Sequence, residues 1–235
     1  MVVIQITLKV YLKENVPSIQ AQQIICRFID GALCKKEEFK ELHNARKYKM
    51  YCYNSLYPIS EDRIYHKNQT YQLQIRTVDT NLAEYFANEL NVIEDRIIKI
   101  QSSAIEFIAK KEIEKLYSIT PTLMKRDDGY WRDCISVEEY MESIKINLIK
   151  KYNAYTNTKL DEEFDFIKEI QFSNRVPIKC AYKNVNLLGD KIDIQIASNE
   201  RAQQLAYFAL GVGILEGNAR GFGYMKDKWK KVTIK

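Results

Sequence analysis

Val3-Ile-Gln-Ile-Thr-Leu-Lys-Val-Tyr-Leu12 opens the chain in strict alternation: Ile4, Ile6, Leu8 and Val10 share one face, and Gln5, Thr7 and Lys9 share the other. A period of two over this length predicts a half-buried β-strand. The period then changes. Asn15-Val16-Pro17-Ser18 is a turn with helix-start chemistry, and Ile24, Ile25, Phe28, Ile29 and Leu33 recur at helical spacing, so Ile19–Leu33 reads as a helix. Arg46–Leu56 returns to strand, with Tyr48, Met50 and Cys52 on one side and Lys47, Lys49, Tyr51 and Tyr53 on the other. Thr70–Val78 alternates again through Tyr71, Leu73 and Ile75. Thr80 starts a helix to about Leu90, and Ile97–Ile108 is strand.

That order, β-α-β-β-α-β, is the ferredoxin-like motif. The second half repeats it less clearly. Ile105–Tyr117 serves as the closing strand of the first unit, the opening strand of the second, or both. Ser136, with Glu139 three residues on, is a capping box opening a helix to about Tyr152. Phe164–Phe172 and Lys191–Ala197 read as strands, and Ile178–Val185 as part of a hairpin. Ser198-Asn199-Glu200 caps a helix through Leu210, followed by a glycine-rich loop, a short strand at Phe222–Met225 and a basic strand at Trp229–Ile234. The expectation is an α+β protein of two tandem ferredoxin-like domains, 1–115 and 116–235. The junction is placed near the turn Ser118-Ile119-Thr120-Pro121.

The 235 residues are 46% hydrophobic and 29% charged, which excludes a wholly disordered chain and suits two small domains. No stretch approaches the roughly 20 apolar residues of a membrane helix. Met1-Val2-Val3-Ile4-Gln5 lacks the basic start of a signal peptide. Five scattered cysteines without a CxxC, and only two histidines, give no disulfide framework and no zinc site. A reducing cytoplasm is the default location, with no cofactor, metal or membrane partner expected. Charge is unevenly placed. Six of 36 basic residues but one of 31 acids fall in Arg220–Lys235, so that segment carries the whole net charge of +5. Leu42–Ser60 is acid-free and holds Arg46, Lys47 and Lys49. Clustered cations interleaved with aromatics suit a phosphate backbone and unstacked bases, or simply a solvated basic face.

Five of the eight glycines lie in Gly211-Val-Gly-Ile-Leu-Glu-Gly-Asn-Ala-Arg-Gly-Phe-Gly223. Such a loop lets backbone N–H groups approach a ligand. It is not a dinucleotide fingerprint, because it follows a helix and its third glycine is one residue late. It is not a P-loop, because it lacks the terminal Gly-Lys-Ser/Thr. The bland reading is a long connection with no ligand. Asp161-Glu162-Glu163, Asp165 and Glu169 read as a solvated surface. Tyr130 and Trp131, beside Arg126 and Arg132, suit base stacking or a loop folded back on the domain.

A helix followed by G-x-G-x(n)-G-x-G, late in a chain of two ferredoxin-like repeats, resembles the RAMP superfamily of RNA-binding proteins. The closing Ala219-Arg-Gly-Phe-Gly-Tyr-Met225 is similar to the CRISPR precursor-RNA processing endoribonucleases. That resemblance implies an enzyme whose partner is CRISPR repeat RNA, with effector-complex subunits as further partners. It implies an RNA-contacting loop formed by Gly211, Gly213, Gly217, Gly221 and Gly223, with Arg220, Lys226 and Lys228 holding phosphates. Leu42-His43-Asn-Ala-Arg-Lys-Tyr-Lys-Met-Tyr-Cys-Tyr-Asn-Ser-Leu56 carries the second likeness. By it, His43 is the catalytic histidine, Lys49 stabilises charge, and Arg46 and Lys47 bind RNA. Some members use a tyrosine in the first helix; here that stretch has Phe28, and the role is either absent or filled by Tyr48, Tyr51 or Tyr53, with Tyr51 the choice. His66 is the backup proton donor. A non-catalytic crRNA-holding subunit, or an interaction module without an RNA role, are the alternatives.

The chemistry fits the residue types. RNA carries its own nucleophile, the 2′-OH beside the scissile phosphate. Cleavage then needs proton transfer, for which histidine with a reference pKa of about 6.5 is suited. It also needs positive charge on the transition state, which lysine supplies.

Overall fold

The computed structural model describes residues 1–45, 47–182 and 185–230, apart from the side chains of Leu42 and His43. The first half runs β1 (Val3–Leu12), α1 (Ser18–Leu33), α2 (Glu37–Asn44), β2 (Tyr51–Tyr53), β3 (Thr70–Thr77), α3 (Thr80–Glu89) and β4 (Ile98–Ile108). Its antiparallel sheet has the order β2-β3-β1-β4. The second half runs β5 (Ile113–Ser118), α4 (Val137–Thr156), β6 (Ile167–Phe172), β7 (Ile178–Tyr182), β8 (Val185–Asp190), β9 (Ile192–Ile196), α5 (Glu200–Val212) and β10 (Met225–Trp229). Its main sheet has the order β10-β5-β9-β6. In each sheet the first and third strands are central and the fourth flanks the first, so both halves are ferredoxin-like and the fold is α+β. β7 and β8 form a hairpin outside that pattern, extended by Thr122–Leu123.

The alternation in β1 has its expected consequence. Ile6 pairs with Ile75 and Leu8 with Leu73, and all four are fully buried under α1 and α3. Each such side chain contributes roughly 1.5–3 kcal/mol through burial. The capping box forms as read: Ser136 Oγ accepts from Glu139 N at 3.1 Å, and Ser136 N donates to Glu139 Oε2 at 2.8 Å.

Three expectations change. The strand expected over Arg46–Leu56 contracts to Tyr51–Tyr53, because Met50 takes a left-handed φ of 54° that interrupts pairing. A helix, Glu37–Asn44, precedes it. The change of sheet falls between Ile108 and Ile113, ahead of the Ser118–Pro121 turn, so Ile105–Tyr117 divides into a closing and an opening strand. Phe222 and Tyr224 are buried, and among the described residues the strand expected at Phe222–Met225 is instead Met225–Trp229. Residues 231–234 of the expected basic strand lie outside the described residues.

The two halves meet along a polar seam. Arg76, 5% exposed, donates from Nε to Gln5 Oε1 at 2.7 Å and from its NH1 nitrogen to the Met225 carbonyl at 2.9 Å. Its guanidinium lies 4.8 Å from the Tyr224 ring centroid. The Tyr207 hydroxyl accepts from Val3 N at 3.2 Å and donates to Ile108 O at 2.6 Å, tying α5 to β1 and β4. Among the described residues, no helix is long and apolar enough to cross a membrane.

Candidate nucleic-acid interface and active site

The glycine-rich segment is built into the seam and only partly open to solvent. Gly211 lies inside α5, and a Cβ there would stand 2.7 Å from Val78 Cγ1 and 3.3 Å from Val3 Cγ2. Its lack of a side chain lets α5 approach the first sheet, a packing role in place of the expected loop role. The loop proper folds on itself. Ile214 N donates to Gly223 O at 3.1 Å, Phe222 N to Gly217 O at 3.2 Å, and Gly223 N to Pro121 O at 2.9 Å. Gly223 has φ +65°, and a Cβ there would meet Ile214 O at 2.2 Å, so only glycine closes the loop. Gln22 of α1 donates to Gly221 O at 2.8 Å, joining the loop to the first domain. Gly213, Gly221 and Gly223 are buried, and Gly217 is half-buried.

Beside this loop is a cleft of about 430 Å³. Residues 47–51 form one wall and residues 212–220 the other; Asn147 and Lys151 of α4 and the side chain of Lys125 complete it. Lys47, Lys49, Lys125, Lys151 and Arg220 line it against one carboxylate, Glu216. A concave surface with that balance attracts polyanions and concentrates their charge at its walls. Lys49 Nζ donates to Ala45 O at 2.9 Å. Ala45 is the C-cap of α2, whose carbonyl end favours a cation. Partial burial pulls the Lys49 ammonium below its ordinary pKa, and the charge of Asp30 on α1 opposes that fall. Tyr48, 40% exposed, lines the same cleft and offers a ring face to a base. The Arg220 guanidinium lies 4.7 Å from the Tyr182 ring centroid of the hairpin.

The cleft therefore gathers Lys47, Lys49, Tyr51, Gly217 and Arg220 from the residues anticipated in the sequence. Tyr51, the expected proton-transfer group, lies on that wall with its side chain turned into the core. It is 2% exposed, packed edge-on against Phe86 at 5.3 Å, and burial holds its hydroxyl well above the ordinary tyrosine pKa. Tyr53 is buried as well, which leaves Tyr48 as the accessible ring of the three. Lys226 and Lys228 lie on β10, opposite Tyr117 and Lys115 of β5, and do not line the cleft. His43 falls in α2, two residues before its C-cap, and its side chain lies outside the described part of the structure. Arg46 lies outside the described residues. His66 is away from the cleft, with Nε2 3.0 Å from Asp62 Oδ2 on an exposed turn.

Lys125 and Lys151 were not singled out in the sequence. Lys151 had a readable signal: it follows Ile144 and Leu148 on the apolar stripe of α4, where a lysine is out of place. The Tyr130–Trp131 loop is folded back. Trp131, 3% exposed, stacks on Tyr140 and Phe172. The loop is held by the fully buried Asp190 carboxylate, which accepts from the Tyr130 hydroxyl, Trp131 Nε1, the Arg132 guanidinium and Asn174 Nδ2, all at 2.6–2.7 Å. Among the described residues, no group of three or more His, Cys, Asp or Glu side chains is arranged to hold a metal ion.

The family described as "CRISPR associated protein Cas6, C-terminal" matches residues 106–226, just over half of the chain and all of its glycine-rich loop. The chain belongs to the Cas6 family. Over 222 residues it is 25% identical to the CRISPR-associated endoribonuclease Cas6 1 of Methanocaldococcus jannaschii, covering 82% of this chain and 80% of that protein. A solved structure described as "CRISPR associated protein Cas6" superposes with a TM-score of 0.69 at 20% identity, over 96% of this chain and 99% of the other. Another, "An RAMP protein binding different RNA substrates", gives 0.71 at 15% identity with the same coverage. These superpositions bear on the fold: Cas6 and RAMP structures share its double ferredoxin-like arrangement.

Proposed function

We propose that this Cas6-family chain is an endoribonuclease that cuts CRISPR repeat RNA within the precursor transcript to release guide RNAs, acting in the cytoplasm without a metal ion. The 2′-OH beside the scissile phosphate attacks in line. The 5′-oxygen leaves with a proton, giving a 2′,3′-cyclic phosphate and a 5′-OH. His43 serves the proton transfers, which contribute roughly 10² to 10⁴ in rate. Lys49 offsets the charge that grows on the phosphorane-like transition state. Lys47 and Arg220 hold the flanking phosphates, and Tyr48 stacks on a base.

The observation that carries this reading is the place of Lys49. It lies on the wall of the basic cleft that faces the glycine-rich loop, and it is hydrogen-bonded to the end of the helix that carries His43. The relative from Methanocaldococcus jannaschii, named as an endoribonuclease, supports the same reaction class. The test is incubation of repeat RNA, from the array beside the coding locus, with the full chain in excess EDTA. Cleavage to a cyclic-phosphate product is expected, with loss in His43→Ala and a strong reduction in Lys49→Ala. Magnesium dependence, full activity in His43→Ala, or cleavage of RNA carrying a 2′-deoxy sugar at the cut site would each overturn the mechanism.

A further inference from the structure

Lys151 is 3% exposed, yet it lines the cleft. Its ammonium donates to Gly213 O at 3.1 Å, Leu215 O at 2.7 Å and Asn218 Oδ1 at 2.7 Å. Three N–H groups thus meet three acceptors, all on the glycine-rich loop. Asn218 passes the brace on, donating from Nδ2 to Ile214 O at 2.9 Å and Phe222 O at 3.0 Å. One ammonium on α4 therefore sets the shape of the loop from Gly213 to Phe222.

Every acceptor is neutral. Among the described residues, no carboxylate lies within salt-bridge distance of Lys151. A buried cation without a counter-charge is costly. Burial pulls its pKa down to about 7, opposed by Cys52 on β2 and Glu216 on the loop. The other charged groups around the cleft are Lys47, Lys49, Lys125 and Arg220, all cationic. The site is therefore short of negative charge, and a phosphate would supply it.

We infer that Lys151 is a positioning residue: its ammonium holds the glycine-rich loop in the shape that receives RNA, and it takes up a proton as a backbone phosphate settles in the cleft. This rests on the RNA reading above. Without the proton, one of the three acceptors loses its donor and the loop loosens. With the phosphate in place, the charged form is favoured and loop and ligand stabilise each other. RNA affinity then falls as pH rises above the free-state titration, by about tenfold per pH unit for one linked proton.

The probe is repeat RNA carrying 2′-O-methyl groups throughout, which no 2′-OH attack can cut. Its dissociation constant is measured by fluorescence anisotropy from about pH 6 to about pH 8.5. The unmodified chain should show the tenfold-per-unit loss above pH 7. Lys151→Met should bind more weakly at pH 6 and lack that part of the slope. Lys151→Arg, which keeps its charge throughout, should also lack that part of the slope. Calorimetry of the unmodified chain in two buffers of different ionisation enthalpy gives the proton count without any variant, and near pH 8 it should approach one proton taken up per RNA. Binding with no proton uptake there, or an unchanged slope in Lys151→Met of native circular dichroism, overturns the inference while the RNA reading stands. Absence of binding by the unmodified chain at every pH defeats the RNA reading and this inference with it.

Discussion

Gly223→Ala is a stringent test of the loop architecture. The glycine has φ +65°, where a residue with a side chain is penalised by roughly 1–2 kcal/mol. A Cβ there would lie 2.2 Å from the Ile214 carbonyl oxygen, well inside van der Waals contact. Relieving that overlap moves the two strands of the loop apart, against the bonds Ile214 N to Gly223 O at 3.1 Å and Gly223 N to Pro121 O at 2.9 Å. Each buried group left without a partner costs about 1–3 kcal/mol. The combined loss is about 3–6 kcal/mol, a large part of the roughly 5–15 kcal/mol that holds a folded protein together. Urea unfolding followed by circular dichroism reads it directly, and with a slope of about 1–3 kcal/mol per molar the midpoint should fall by 1 M or more. Gly31→Ala is the control: exposed, inside α1, with nothing within 4 Å of the new methyl. It should stabilise by roughly 0.5–1 kcal/mol. A Gly223→Ala midpoint indistinguishable from the parent would refute the close packing described for the loop.

Other perturbations address the supports of the cleft. Asp190→Asn turns an amide N–H₂ toward the donors of Tyr130, Trp131, Arg132 and Asn174, and should cost about 3–5 kcal/mol in unfolding free energy, as breaking a buried ion pair does. Tyr207→Phe strips Val3 N and Ile108 O of their shared hydroxyl, and a loss of about 1–3 kcal/mol should appear in the same assay. Lys151 gives the RNA-free chain a pH signature. Its pKa is about 7 folded against an ordinary 10.5, so the unfolded chain binds more protons between those values. Its contribution to stability should rise with pH through that window and be lost as pH falls through about 7. The difference between unmodified chain and Lys151→Met, taken from urea midpoints across the window, isolates that group.

Legibility in the sequence followed the length of each pattern. β1, α1, β3, α3 and β4 each carry several apolar residues at one period, and their observed bounds lie within a residue or two of those read. The region from Glu37 to Leu56 was opaque. Lys-Lys-Glu-Glu-Phe-Lys-Glu-Leu has little apolar stripe to announce α2, and no alternation rule foresees the left-handed turn at Met50. The glycine motif marked the right segment, but composition cannot separate a glycine that admits a ligand from one that admits a neighbouring helix. At Gly211 the space is taken by Val78, far off in the sequence, and at Gly223 by the Ile214 carbonyl of the loop itself. The cleft was half legible. Lys47, Lys49 and Arg220 stood out by local charge, whereas Lys125 and Lys151 reach it only through the packing of the second domain on the first.

The guanidinium of Arg76 has an implication for synthesis. Its carbonyl partner, Met225, leaves the ribosome 149 residues later, and the aromatic ring above it belongs to the residue just before. An emerging amino-terminal half can form its helices and strands early, yet that side chain lacks these two neighbours until Tyr224 and Met225 have been made. Closure of the seam around Arg76 thus waits for those two residues, and a transcript truncated shortly after α5 would yield a product lacking both groups that shelter this cation.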